Sequence, residues 1–315
     1  MLWSRPSHKC APAAAPNFEE FSTMALVPFH DRDGWVWMNG EMIPQREAKV
    51  HVMTHALHYG SCVFEGERAY EGVVFRSDEH SARLHKSARL LGFAIPHTPA
   101  EISAAKMAVL NKMGLETAYV RCLAWRGSEA LGVSAKQNTI HTAVCAWEWG
   151  SYFENKMAGI RMMIAPWRRP APDTAPCEAK AAGLYMICTL SKHAAEDAGF
   201  QDALMMDWRG QIAEATGANI FLIRDGVIHT PTPDCFLNGI TRQTVLKLAR
   251  RRNLEIVERP IFPGELASFD EIFLTGSAAE VTPVNEIAGI KFKPGPVCEA
   301  MLTDYADHVR GKLAL

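Results

Sequence analysis

No apolar run in the 315-residue chain reaches the ~18 residues that a membrane-spanning helix needs, so no membrane partner is expected. Excess charge of either sign is also missing. With 33 Lys and Arg against 35 Asp and Glu, the formal net charge of -2 gives no global pull toward nucleic acid or an anionic membrane. The eight cysteines, at 10, 62, 122, 145, 177, 188, 235 and 298, include no C-x-x-C pair and match no zinc or redox template. A chain of this length needs no disulfide staples, so reduced, buried cysteines in a cytoplasmic protein are expected. There is no G-x-G-x-x-G after a strand, no Walker loop, no G-x-S-x-G elbow and no H-E-x-x-H, which removes the usual support for a nucleotide fold or a hydrolase. Residues 1–23 lack the long apolar core of a secretory signal and read as a flexible extension, outside the fold.

What is present is ordinary globular sequence. At 48% hydrophobic and 22% charged, the chain can bury the core of one large domain or two of moderate size. Residues 24–149 read as a small N-terminal α/β domain, 150–158 as an interdomain linker and 159–315 as a larger C-terminal domain. WVWMNG opens with a strand and a hairpin signal at Asn39-Gly40, and Glu71-Gly72 turns a second hairpin. Between them, Thr54 to about Glu65 presents Ala56, Leu57, Tyr59 and Phe64 as one apolar face. Asp78 is expected to cap a helix running to Leu91, and a further helix covers about 99–113. TAYVRCLAW and HTAVCAWEW read as strands. The second half predicts strands at GIRMMIAPW, DALMMD, IAEATGANIFLI, VIHTP, EIVERPIF and EIFLTG, with helices at about 185–198, 241–252 and 296–312. Many strands join through tight turns, so the class is mixed α/β (α+β) and not a purely parallel doubly wound sheet.

Several residues could carry chemistry, each with a plainer alternative. Lys180 sits in CEAKAAGLY among small neighbours that leave room for a planar ring; in an apolar pocket its amine becomes a usable nucleophile, whereas in a solvated loop it is one lysine among many. Glu214 could keep a pyridine nitrogen protonated, with Asn219 orienting it, or it could be an edge-strand surface carboxylate. Gly239, Ile240 and Thr241 open a helix whose free amides suit a phosphate, and Gly276 with Ser277 forms a second small-residue turn after a strand; simple capping explains either alone. Arg83 and Arg121 could each clamp a phosphate or carboxylate, and Arg121, inside an apolar strand, needs a partner. His51, His55 and His58 have one i, i+4 pair but no carboxylate ligand beside them, so they read as structural and no metal is expected.

Taken together and in order, MNGEMIPQREAKVHVMTHALHYGSCVFEGERAY, FRSDEHSARLHKSA, AEATGANIFLIRDGVIHTP, LNGITR and FLTGSAAEVTPV resemble the class IV aminotransferases, whose fold is the type IV pyridoxal-phosphate (D-amino acid aminotransferase-like) fold. Within that class the chain is similar to the bacterial branched-chain amino acid group, from about Trp35 to Ala300. The resemblance implies pyridoxal 5'-phosphate as cofactor, bound by Lys180 as a Schiff base. It implies Tyr185 on the ring hydroxyl, Glu214 on the pyridine nitrogen, and Arg83, Ile240, Thr241 and Ser277 on the phosphate, with Asn219 and Gly276 beside them. Tyr59, Phe64, Tyr119, Arg121, Trp149 and Tyr152 match positions around the substrate side chain, and Ala278 and Ala279 face the substrate carboxylate. Arg121 would meet the distal carboxylate of glutamate or 2-oxoglutarate. Leu131-Gly132-Val133 would reach a neighbouring subunit, so a homodimer or homohexamer (a trimer of dimers) is implied.

The implied reaction passes the amino group of L-leucine, L-isoleucine or L-valine to 2-oxoglutarate, so the partners are amino acids and 2-oxo acids. The same fold also serves D-amino acid and (R)-amine aminotransferases and aminodeoxychorismate lyase, and a non-catalytic protein binding pyridoxal phosphate or another metabolite is a different class of reading. HALHYGSCVFEGERAY fits the branched-chain group better, and simple phosphate binding needs none of Lys180, Tyr185 and Glu214.

Overall fold

The chain folds around two sheets, seen in a computed structural model that describes residues 27–150 and 156–315. Strands β1 (Trp35–Met38) and β2 (Glu41–Pro44) turn at Asn39-Gly40, where both residues adopt positive φ (54° and 99°). That left-handed pair matches the twist of the hairpin. Helix α1 (His55–Tyr59), strand β3 (Cys62–Tyr70) and strand β4 (Val73–Val74) follow. Then come helices α2 (Ser77–Leu90) and α3 (Pro99–Met113) and strands β5 (Ala118–Arg126) and β6 (Ile140–Glu148). The six strands form one antiparallel sheet in the order β2-β1-β6-β5-β3-β4. Helices α2 and α3 cover one face through Val63, Leu84, Ile102, Val109, Val120 and Val144.

The second sheet contains β7 (Ile160–Ile164), β8 (Asp202–Met206), β9 (Ile212–Ala215), β10 (Asn219–Arg224), β11 (Val227–Thr230), β12 (Ile256–Glu258), β13 (Glu271–Gly276), β14 (Glu280–Ile287) and β15 (Ile290–Lys291). Its order is β12-β11-β10-β13-β14-β7-β8-β9, and a further pairing of β9 with β10 closes six of these strands into a ring. The closing pair is Glu214 opposite Asn219. Met162, Leu204, Ile220, Leu222, Leu274 and Val284 fill the interior. Helices α5 (Ile240–Arg251) and α6 (Pro296–His308) pack outside against Phe221, Ile223 and Phe273. Strand β10 therefore buries both of its faces, which is why NIFLI shows no alternation of apolar and polar residues. Helix α4 (Met186–Asp197) lies against β8.

Several sequence expectations change. Helix α2 starts at Ser77 after Arg76, which adopts φ 51° as its N-cap, so Asp78 lies in the first turn instead of capping. There Asp78 accepts a hydrogen bond from Ser103 Oγ at 3.0 Å, tying α2 to α3. The segment 54–65 is not one element: α1 lasts five residues, and Leu57 and Tyr59 face outward. IAEATGANIFLI divides into β9 and β10 around Thr216-Gly217-Ala218, and EIVERPIF is a strand only over Ile256–Glu258, ending before Pro260. Strand β14 has no counterpart among the expected strands because Pro283 interrupts its pattern; the proline is tolerated opposite Phe273 in the ring. Residues 156–158 of the expected linker form a short 3-10 turn, while residues 1–26 and 151–155 lie outside the described residues.

Candidate active site

The lysine is fixed at the seam between the two sheets. Lys180 N donates to Ser87 Oγ of α2 at 2.9 Å, its carbonyl accepts from Phe64 N of β3 at 3.0 Å, and Ala181 bridges Val63. Its side chain enters a cleft lined by Arg83, Tyr119, Arg169, Tyr185, Glu214 and the turns 216–219, 237–241 and 275–278. Lys180 Nζ donates to Tyr185 Oη at 2.5 Å and lies 4.8 Å from the centre of the Phe64 ring. Burial and the nearby Arg83 guanidinium bring the amine down to about 8, with Glu65 opposing them. A substantial neutral fraction is thus available near neutral pH, as an amine nucleophile requires. Tyr185 is held above its usual range by burial and by Glu214.

Glu214 is buried in the wall, and burial raises it to about 7 against the pull of Arg169 and Lys180. Asn219 Nδ2 donates to Glu214 Oε2 at 3.2 Å and to Leu237 O at 3.0 Å, while Asn219 Oδ1 accepts from Gly239 N at 3.2 Å. One amide therefore ties the carboxylate to the turn that starts α5. Gly239 caps that helix, placing Ile240 and Thr241 in its first turn on the cleft wall. Gly276, Ser277 and Ala278 form the opposite wall; Ala279 lines an adjoining cavity shared with Ala278.

Arg83 reaches the cleft from α2, with Nε and Nη2 donating to the two oxygens of Glu65 at 2.7 Å each. Tyr119 stacks on Trp147 and lies 5.1 Å from Trp149. Arg121 spreads over Phe64 at 4.7 Å and beside Tyr119 at 5.4 Å, and no carboxylate pairs with it among the described residues. It also borders a second cavity of about 590 Å³ on the open face of the first sheet. Tyr59 is about half exposed and stacks on His55, away from the cleft lining. Val133 is exposed, and Gly132 O accepts from His55 Nε2 at 3.0 Å. The other His55 nitrogen meets Ser61 Oγ at 2.7 Å, so both serve local structure. Tyr152 lies outside the described residues.

Sequence reasoning missed Arg169, Glu65, Thr275 and Gly66. Arg169 comes from a proline-rich loop that carries no periodicity. Glu65 had a usable signal: with Glu67 it puts two carboxylates on one face of β3, and buried carboxylates demand cations, here Arg83 and Lys106. Gly66 matters because a Cβ there would collide with Tyr119 Oη.

This site can be set beside known proteins. Residues 62–287 match the family model described as amino-transferase class IV. The chain belongs to the class IV aminotransferases. It is 40% identical to the branched-chain-amino-acid aminotransferase of Pseudomonas aeruginosa over 90% of this chain and 95% of that protein. The Escherichia coli K12 enzyme of the same name is 39% identical over 83% of this chain and 87% of its own. Among solved structures, a T.th. branched-chain amino acid aminotransferase complexed with N-(5'-phosphopyridoxyl)-L-glutamate superposes with a TM-score of 0.86. It is 39% identical, covering 90% of this chain and 96% of that one. The Thermoproteus uzoniensis branched-chain aminotransferase with norvaline also gives 0.86, at 34% identity over 89% and 96%.

The cofactor of this aminotransferase is pyridoxal 5'-phosphate. The cleft fits it. Arg169 Nε and Thr275 Oγ1 are buried on its wall without a hydrogen-bond partner, a lysine held below its usual range stands at its centre, and two turns of small residues line it.

Proposed function

We propose that the chain is a pyridoxal-phosphate-dependent branched-chain aminotransferase, moving the amino group of L-leucine, L-isoleucine or L-valine reversibly to 2-oxoglutarate. The observation that carries the reading is the position of Arg121: an arginine without a carboxylate among the described residues, laid over Phe64 and Tyr119 beside Lys180. Aromatic walls suit an aliphatic side chain, and the waiting guanidinium suits the distal carboxylate of glutamate or 2-oxoglutarate.

When bound, the cofactor supplies an electron sink for the charge left at the substrate α-carbon. Lys180 Nζ would hold the cofactor covalently until the incoming amino group displaces it, and the amine so freed would take the α-proton and deliver it to the cofactor side of the exchange. Tyr185 Oη, already bonded to Nζ, holds the ring hydroxyl, and Glu214 holds the pyridine nitrogen with Asn219 behind it. Arg83, the amides of Ile240 and Thr241, and the turn Gly276-Ser277 hold the phosphate. Ala278 and Ala279 face the substrate carboxylate. Phe64, Tyr119 and Trp149 frame the side-chain pocket.

The enzyme works as a homo-oligomer in the cytoplasm. Val50, Val52, Met53, Leu57, Tyr59 and Val133 supply exposed apolar surface around the expected subunit-contacting loop. No helix among the described residues is long and apolar enough to cross a membrane.

Titrating the yellow holoprotein with L-leucine tests the reading. The cofactor band shifts to that of the aminated form, and 2-oxoglutarate restores it. A shift with D-alanine or 1-phenylethylamine but none with L-leucine overturns the substrate assignment.

A further inference from the structure

A second cation stands behind Glu214. Arg169 is 4% exposed, and its Nε lies 3.4 Å from Glu214 Oε1 with no hydrogen-bond partner of its own. Its backbone is locked: Arg169 N donates to Met206 O at 2.8 Å, and the residue bridges Asp207 at the end of β8. The Asp207 carboxylate is already occupied by Arg209 and the Gln211 amide, so Glu214 is the carboxylate left for Arg169. Nearby Cys188 Sγ is a poor acceptor at 3.7 Å. The two oxygens of Glu214 thus have separate neighbours, Arg169 for Oε1 and Asn219 for Oε2.

We propose that Arg169 is a positioning residue that holds Glu214 as an anion, so that the shared proton rests on the cofactor's pyridine nitrogen and not on the carboxylate. This rests on the reading of Glu214 as the partner of that nitrogen. In a buried site a carboxylate and a pyridine can share a proton as an ion pair or as a neutral pair, and burial favours the neutral one. A cation touching the carboxylate opposes that preference and shifts the balance toward the ion pair, because it stabilises the anion more than it penalises the more distant ring nitrogen. The other groups that act on Glu214 are Lys180, Tyr185, Cys188 and Cys177. Of these only Lys180 brings positive charge, and that amine is consumed when it binds the cofactor. Arg169 is then the cation left beside Glu214.

Reconstitution with pyridoxal phosphate labelled with ¹⁵N in the ring tests this by NMR, which separates protonated from unprotonated pyridine nitrogen without turnover. The wild-type protein and Arg169→Lys give the protonated signal at neutral pH. Arg169→Met moves it to that of an unprotonated, hydrogen-bonded nitrogen and lowers kcat about tenfold or more, with KM for the amino acid changed less. Arg169→Gln, neutral but still able to donate, gives the same shift and carries the test if the Met variant does not fold. Retention of the protonated signal in the neutral variants overturns the proposal. Glu214→Gln separates the two ideas: if it loses the protonated signal while the Arg169 variants keep it, only the role of Arg169 fails. If it too keeps the signal, the reading of Glu214 fails.

Discussion

Glu65 grips Arg83 by a two-pronged pair of 2.7 Å hydrogen bonds, and His80 Nδ1 lies 2.7 Å from the same carboxylate from behind. Glu65 is fully buried on β3, and both of its partners stand on α2, so one polar knot fastens the helix to the strand that also anchors Lys180. Nη1 of Arg83 is left without a protein acceptor among the described residues, and the residue lines the cleft.

Breaking that knot should cost stability. Burial opposes the Glu65 charge, yet Arg83 and His80 outweigh it and hold the carboxylate well below its usual range. Glu65→Gln strands Arg83 and should lower unfolding free energy by about 3–5 kcal/mol at pH 7. The sign with pH follows from the depressed value: the contribution is present above the unfolded carboxylate's ~4.3 and is lost as pH falls below it. Urea denaturation should show wild type and variant far apart at pH 7 and converging only below about pH 4. A constant gap down to about pH 3 would contradict this.

Lys180 should behave as an amine near 8, the value that burial and Arg83 impose. The rate at which cofactor-free protein takes up pyridoxal phosphate should rise with pH and level off just above 8. A solvated lysine would keep accelerating toward ~10.4. Stopped-flow absorbance across this range distinguishes the two, and Lys180→Ala should remove the covalent phase entirely.

Arg121→Met should separate the two substrates. Losing a charge-assisted contact to a distal carboxylate should raise KM for 2-oxoglutarate or glutamate about tenfold or more. KM for leucine should move by no more than about threefold, since an aliphatic side chain meets the aromatic walls. Equal effects on both in steady-state kinetics would rule out the assignment of Arg121.

Gly66→Ala should reshape the pocket from beneath. The new methyl would overlap Tyr119 Oη, and β3 at that point pairs with Arg121 of β5, so the backbone cannot retreat. Tyr119 must swing away from Trp147 and Trp149. The expected result is a several-fold rise in KM for branched-chain substrates, on the scale of an overpacked contact worth about 1–3 kcal/mol, with cofactor affinity largely kept. Unchanged KM values would show that Tyr119 does not shape the pocket.

Much of this was legible in the chain itself. Asn39-Gly40 and Glu71-Gly72 adopt the positive φ pairs that such dipeptides favour, so turn chemistry placed both hairpins correctly. The helix expected at about 99–113 spans Pro99–Met113, because its periodicity and its stop at Gly114 are local. Pattern failed where burial is two-sided or the element is too short to show a period. Strand β14 hides behind Pro283, and α1 is a five-residue helix whose Leu57 and Tyr59 point outward.

The sequence by itself determined the residue types that the chemistry needs and the turns that carry them: Lys180, Tyr185, Glu214, and the small-residue starts at Gly239 and Gly276. Only the tertiary structure decided their charge and company. Strand β9 meets β10 through Glu214 and Asn219 because the ring closes there, and Arg169 arrives beside them from a loop 45 residues before Glu214. Neither meeting leaves a local trace. Sequence spacing encodes periodicity within an element, whereas a buried charge is set by whatever distant segments exclude water from it and stand within a few ångströms.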